Sequence, residues 1–127
     1  MDFSERVARL KASRRAKLFK INEWVVALSH VSAYQASAAR ALIELGADVV
    51  AIAGQKNGSI EVSLRGTRGF HLQTGIHLGK DIARPLGDYI HGMGGGHSTA
   101  AGANGVGDIE ATLKRCFLLL KEKLVNP

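Results

Sequence analysis

Apolar residues along this chain alternate between a spacing near 3.6 and a spacing of two. Phe3, Val7 and Leu10 recur at helical intervals and Leu18 falls about two turns on, so residues 2–20 are predicted to form a helix. Asp2 and Glu5 stand at its start, where the helix dipole favours acids, and the cations come later. Residues 23–30, Glu-Trp-Val-Val-Ala-Leu-Ser-His, read instead as a buried strand. Helical spacing returns over residues 34–45, with Ala38, Ala41, Leu42 and Leu45 as the apolar stripe. Ser32 is a candidate N-cap for that helix and Gly46 a natural residue just past its end. Residues 48–54 form a second buried strand. A strand–helix–strand unit of this kind defaults to parallel strands joined by a right-handed crossover.

Lys56-Asn57-Gly58 then reads as a tight hairpin turn. From Ser59 to Gly66 the chain alternates, with Ile60, Val62 and Leu64 on one face and Glu61, Ser63 and Arg65 on the other. This predicts an antiparallel strand with one polar face. Ile76 to about Arg84 reads as a helix that Pro85 interrupts or ends. A glycine-rich loop follows, then a short strand of small residues over 99–104. A final helix runs from Ile109 to Leu124, with Leu113, Phe117, Leu120 and Leu124 at helical spacing. The expected fold is α/β: a mixed sheet of about four to five strands flanked by helices. Residues 1–20 would form a basic connector helix, and residues 21–127 one domain.

Composition adds constraints. The length of 127 residues suits a single domain with a real core. One cysteine, Cys116, excludes an internal disulfide and fits a reducing, cytoplasmic setting; its Cys-Phe-Leu-Leu-Leu context predicts a buried thiol. No apolar run approaches the roughly 20 residues that span a bilayer, and the charged N-terminus has no apolar signal region. No membrane partner is therefore expected. The net charge of +6 is uneven. Residues 1–20 hold seven basic and two acidic side chains, whereas the other 107 hold ten basic and nine acidic ones. That basic face suits either a nucleic-acid backbone or plain solvation.

The densest chemical signal is His91-Gly92-Met93-Gly94-Gly95-Gly96-His97-Ser98-Thr99-Ala100-Ala101-Gly102. A glycine loop can turn its amides toward one point and make an anion nest, with His97 at its rim. Small residues after it, Ala101 among them, would admit a flat base. Ser63 and Arg65 point to one side of their strand, and a guanidinium beside a hydroxyl suits phosphate or carboxylate. The competing reading pairs Arg65 with Glu61 on that same face. His30 and Ser32 follow the first parallel strand, where α/β sheets often place ligands. His71 and His77 read as surface histidines, and His91 opens the glycine segment. Tyr34, Phe70 and Tyr89 are the aromatics near these segments, and spacing does not place them.

Several catalytic patterns are absent from the sequence. It has no Gly-Lys-Ser/Thr phosphate loop, and the Gly-x-Gly-x-x-Gly pattern fails because His97 holds its last position. Neither metal-ligand spacing nor a nucleophilic Ser/His/Asp elbow is visible. The chain reads as able to bind an anion and poorly equipped to cleave one, so no catalytic or metal-binding residue is assigned to it.

Gly94-Gly95-Gly96-His97-Ser98-Thr99-Ala100-Ala101-Gly102 closely resembles the GGGH-x-x-AAG signature of the DHH-associated domain. That is the C-terminal domain of DHH-superfamily phosphoesterases, among them RecJ-like exonucleases, oligoribonucleases and cyclic-dinucleotide phosphodiesterases. Ser63-Leu64-Arg65 is similar to that domain's Ser-x-Arg strand, and the likeness covers about residues 23–124. It implies a substrate-gripping role in which Arg65 and His97 contact phosphate, Ser63 stands beside Arg65, and Gly94, Gly95 and Gly96 offer amides. His30, Ser32 and Ala101 would be auxiliary. It implies no cofactor in this chain, with Mn2+ or Mg2+ held by a separate N-terminal DHH domain that performs the hydrolysis. The Asp-His-His motif of that half is absent, since no two histidines are adjacent. The expected partners are a nucleotide or single-stranded nucleic acid and the DHH domain of the same parent chain; a homodimer stays open. A related domain ends alanyl-tRNA synthetases, which leaves a stand-alone nucleic-acid-binding or association module as the alternative.

Overall fold

A computed structural model describes residues 1–126. Six strands form one mixed sheet in the order β1-β2-β3-β4-β6-β5, one or two more than the sequence pattern suggests. The strands are β1 (Lys17–Ile21), β2 (Trp24–His30), β3 (Val49–Lys56), β4 (Ser59–Gly66), β5 (Met93–Gly96) and β6 (Ala100–Val106). The α-helices are α1 (Phe3–Arg15), α2 (Gln35–Leu45), α3 (Arg68–Thr74), α4 (Arg84–Tyr89) and α5 (Ile109–Val125). A π-helix, Leu78–Ala83, runs directly into α4.

The N-terminal segment departs from its expected course. Asp2 caps α1 by accepting from the Glu5 amide at 2.8 Å, but the helix stops at Arg15. Residues 17–21 are β1, paired antiparallel with β2 through a two-residue turn at Asn22 and Glu23. Asn22 takes φ +55°, as hairpin turns of this length require. Leu18 sits at helical spacing from α1, but Phe19 and Ile21 alternate with it at period two and turn inward. Nor does α1 bury its expected stripe. Ala8 and Ala12 face the domain, while Phe3 and Leu10 are exposed. Small inward residues let α1 lie close on α2, where Arg9 reaches the Ser37 hydroxyl (3.2 Å) and Glu44 (3.4 Å). The basic segment is thus packed onto the domain, and its last four residues, 17–20, are part of the sheet.

β2 and β3 are parallel, with α2 as the crossover. Tyr34, in a left-handed conformation, precedes α2 without a side-chain cap, so Ser32 does not fill that role. Gly46 ends the helix at φ +131° as expected, but Leu45 is exposed. The hairpin at Asn57-Gly58 joins β3 to an antiparallel β4, as expected. After β4 the sequence hides a helix: Thr67 caps α3 by accepting from the Phe70 amide at 3.0 Å, and Gly75 closes it at φ +75°. Pro85 does not end a helix here. It lies in the first turn of α4, where the π-helix gives way to α-geometry, so the helical run changes type there instead of stopping.

The sheet separates two cores. Val26, Leu28, Val49, Ala51, Ala53, Ile60, Val62 and Leu64 point toward α3, the π-helix, α4 and α5. Ala27, Val50 and Ile52 point the other way, toward α1 and α2. No helix among the described residues is long and apolar enough to cross a membrane.

Candidate functional site

Side chains directly opposite each other on paired strands share a face. Ile52 of β3 aligns with Ser63 of β4, Gly102 of β6 and Gly95 of β5. Val50 aligns with Arg65 and Ala100. These rows lie on the α1–α2 side of the sheet. Over β3 that side is covered and Ile52 is fully buried, whereas Ser63 and Arg65 are only half-buried. Beyond them the floor is made of small residues, and a methyl group added to Gly95 would meet nothing within 4 Å. The outer row, Glu61–Asn104–Met93, completes the open face, with Met93 77% exposed. Asn104 and Met93 carried no sequence signal, because only the register brings them to this face.

Arg65 does not pair with Glu61. The one ion pair among the described residues is Arg9–Glu44. Arg65 aligns with Ala100, which closes the β5–β6 turn by accepting from the His97 amide at 2.8 Å. The Gly66 amide reaches Thr99 of that turn at 3.0 Å. The register therefore places Arg65 and the His97 turn at the same corner of the sheet. His97 is exposed, and its carbonyl is held by the Gly79 amide at 3.0 Å.

The glycine segment is a strand here, not a loop, so its amides do not converge as a nest. Its glycines permit contact with the layer beneath. A Cβ on Gly94 would land on the Ala83 carbonyl oxygen, and one on Gly79 would land on the Gly96 backbone. Gly87 meets Met93 and Gly94 in the same way. Gly96 also takes φ +135°, which side chains rarely adopt. Because β5 is an edge strand, every second one of its amides points off the sheet instead of into the ladder.

The remaining candidates lie elsewhere. Ala101 aligns with Leu64 and packs against the core beneath. His30 aligns with Ala53, hence with the Val62 row, on the α5 side of the sheet. Ser32 lies beyond β2, beside α1, in a cavity of about 600 Å³. Neither joins Arg65. Phe70 is buried edge-on against Trp24, Tyr34 donates to Asp2 at 3.1 Å, and Tyr89 carries Arg115 over its ring at 4.5 Å. None of the three aromatics belongs to the Ser63–Arg65 rows. His71 and His77 are half-buried, each ring hydrogen-bonded to backbone. Among the described residues, no three His, Cys, Asp or Glu side chains cluster as a metal site would require.

No family model matches the sequence. An uncharacterized protein of Methanocaldococcus jannaschii is 38% identical over 105 residues, which is 81% of this chain and 31% of that protein. This chain thus spans about a third of that relative. Among solved structures, the C-Ala domain of Aquifex aeolicus alanyl-tRNA synthetase superposes with a TM-score of 0.62 at 19% identity. The match covers 85% of this chain and 97% of that one. A DHH domain from a member of a ribosomal-protein family gives 0.65 at 13% identity, over 94% of this chain and 30% of the other. A pGpG-specific phosphodiesterase from Vibrio cholerae gives 0.56 at 14% identity, over 96% and 39%. The chain shares the α/β fold of these solved structures.

Proposed function

We propose that this chain is the DHH-associated, substrate-binding domain of a DHH-superfamily phosphoesterase. On this reading the open β6–β5 face, edged by Ser63 and Arg65 of β4, grips the phosphate of a nucleotide or of a single-stranded nucleic-acid end. The observation that carries it is the corner where Arg65, without an acidic partner among the described residues, meets the His97 turn beside a floor of glycine and alanine. A guanidinium offers paired donors that match phosphate oxygens. Ser63 adds a hydroxyl on the same face, and off-edge amides of the Gly94–Gly96 strand add further donors. The bare floor at Gly95 lets a planar base approach the backbone. Mn2+ or Mg2+ and the hydrolytic step are assigned to a separate DHH domain of the parent protein, acting in the cytoplasm.

The test is calorimetric titration of the dinucleotide pApA into the chain, with and without Mn2+. Metal-independent binding is expected, weakened roughly tenfold or more by Arg65→Ala and by His97→Ala. Affinity unchanged in Arg65→Ala would remove Arg65 from the site.

The superposition on C-Ala, which spans 97% of that domain, favours a second reading: a nucleic-acid-binding or association module. Steeply salt-dependent binding of single-stranded RNA with no affinity for pApA, or a dimer in sedimentation, would support it over the first.

A further inference from the structure

A cavity of about 630 Å³ opens on the α5 side of the sheet, between the β1–β2 hairpin and α5, and shares Arg15, His30 and Ile109 with the cavity beside Ser32. Small-molecule sites span roughly 300–1,000 Å³. Phe19 of β1, Leu28 of β2, and Leu113 and Phe117 of α5 make its walls apolar. The rings of Phe19 and Phe117 lie 4.7 Å apart, both only partly buried. Three cations also line it, Arg15 from α1, Lys17 from β1 and Lys114 from α5, against a single acid, Glu110. None of these cations forms an ion pair among the described residues. His30 shares the rim and is held below the ordinary histidine value, first by burial and then by Arg15 and Lys17. An apolar pocket under an excess of positive charge is complementary to one kind of ligand. A neutral apolar molecule leaves the cations unmatched, and a bare inorganic anion leaves the aromatic walls wet.

We propose that this cavity binds a small amphipathic anion, an aryl or alkyl carboxylate whose apolar body lies against Phe19 and Phe117 and whose acid group sits among Arg15, Lys17 and Lys114. The site is independent of the Ser63–Arg65 face, because the sheet stands between them.

The probe is 1-naphthylacetate, with the isosteric neutral amide 1-naphthylacetamide as its control, titrated into the full chain at low salt and followed by NMR. The acid is expected to bind roughly tenfold more tightly than the amide. Its largest shifts should fall at Phe19, Leu113 and Phe117, and the His30 titration should move back toward higher pH. The charged groups lining the cavity with His30 are Arg15, Lys17, Lys114 and Glu110, and Arg15 and Lys17 are the two that act on its proton. Replacing two exposed lysines together, Lys17→Gln with Lys114→Gln, should erase the preference for the acid while leaving amide affinity in place. Equal affinity for acid and amide would overturn the anion assignment. Shifts centred on Ser63 and Arg65, or no binding at millimolar probe, would overturn the site.

Discussion

The two halves of the sheet follow different rules. In β2 and β3 the central residues are sandwiched: Val49, Val50, Ala51, Ile52 and Ala53 are all fully buried. In β5 and β6 one face packs on the π-helix and α4 while the other lies open, and Ala103 is the only residue of the two strands in the core. The buried half uses branched side chains to fill space between two helical layers. The open half uses glycine to remove side chains, so that backbone meets backbone below and a surface stays bare above. One strand, β4, belongs to both halves, with Ile60, Val62 and Leu64 below and Ser63 and Arg65 above.

The sharpest way to break that contrast is to put side chains on neighbouring glycines. Gly94→Val should destabilise the protein by about 3 kcal/mol or more, or prevent folding, because its Cβ meets the Ala83 carbonyl. Gly95→Ala, one residue on, should change stability by less than about 1 kcal/mol, because its Cβ enters open space. Urea unfolding followed by Trp24 fluorescence reads both. A stable Gly94→Val protein would mean that β5 does not rest on the helices.

A register pair gives the next test. Ile52 and Ser63 lie opposite each other on one face, the first under the helices and the second at the rim of the open floor. Ile52→Ala should cost about 2–5 kcal/mol through the cavity it leaves, and Ser63→Ala within about 0.5 kcal/mol. Similar losses at both would show that the open face is covered in solution. Asp108 caps α5 by accepting from the Ala111 amide at 2.8 Å, and Asp108→Ala should cost about 1 kcal/mol in the same assay.

The buried half was readable from sequence because its signals are local. The β3–β4 hairpin follows from Asn57-Gly58, and the parallel crossover follows from two branched runs around an alanine-rich helix. Cys116 is buried as its neighbours suggested, its thiol pushed up to about 12 by desolvation. The misreadings arose where a non-local partner decides. Leu18 fits a helix until β2 offers it a ladder. Gly94–Gly96 reads as a loop until the π-helix and β6 trap it as a strand, since glycine's weak intrinsic strand preference was overruled by close packing. The pairing of Ser63 with Arg65 was legible from period two. The placement of the His97 turn at their corner was not, because it depends on the β4–β6 register.

The smallest effect tests the charged rim of the buried half. His30 binds its proton less readily in the folded protein than in the unfolded chain, through burial and through Arg15 and Lys17. Above the unfolded value of about 6.5 both states are neutral, and this histidine costs nothing. As pH falls through that value the unfolded chain takes up the proton first, so stability declines until the folded His30 is protonated too. Urea midpoints at about pH 7.5 and about pH 5.5 should therefore draw apart more in the wild type than in His30→Gln. The difference should shrink in Lys17→Gln, which removes one of the two charges responsible. Parallel pH dependence in the wild type and His30→Gln would mean that solvent screens this rim fully, and that the positive field is confined to the side chains that carry it.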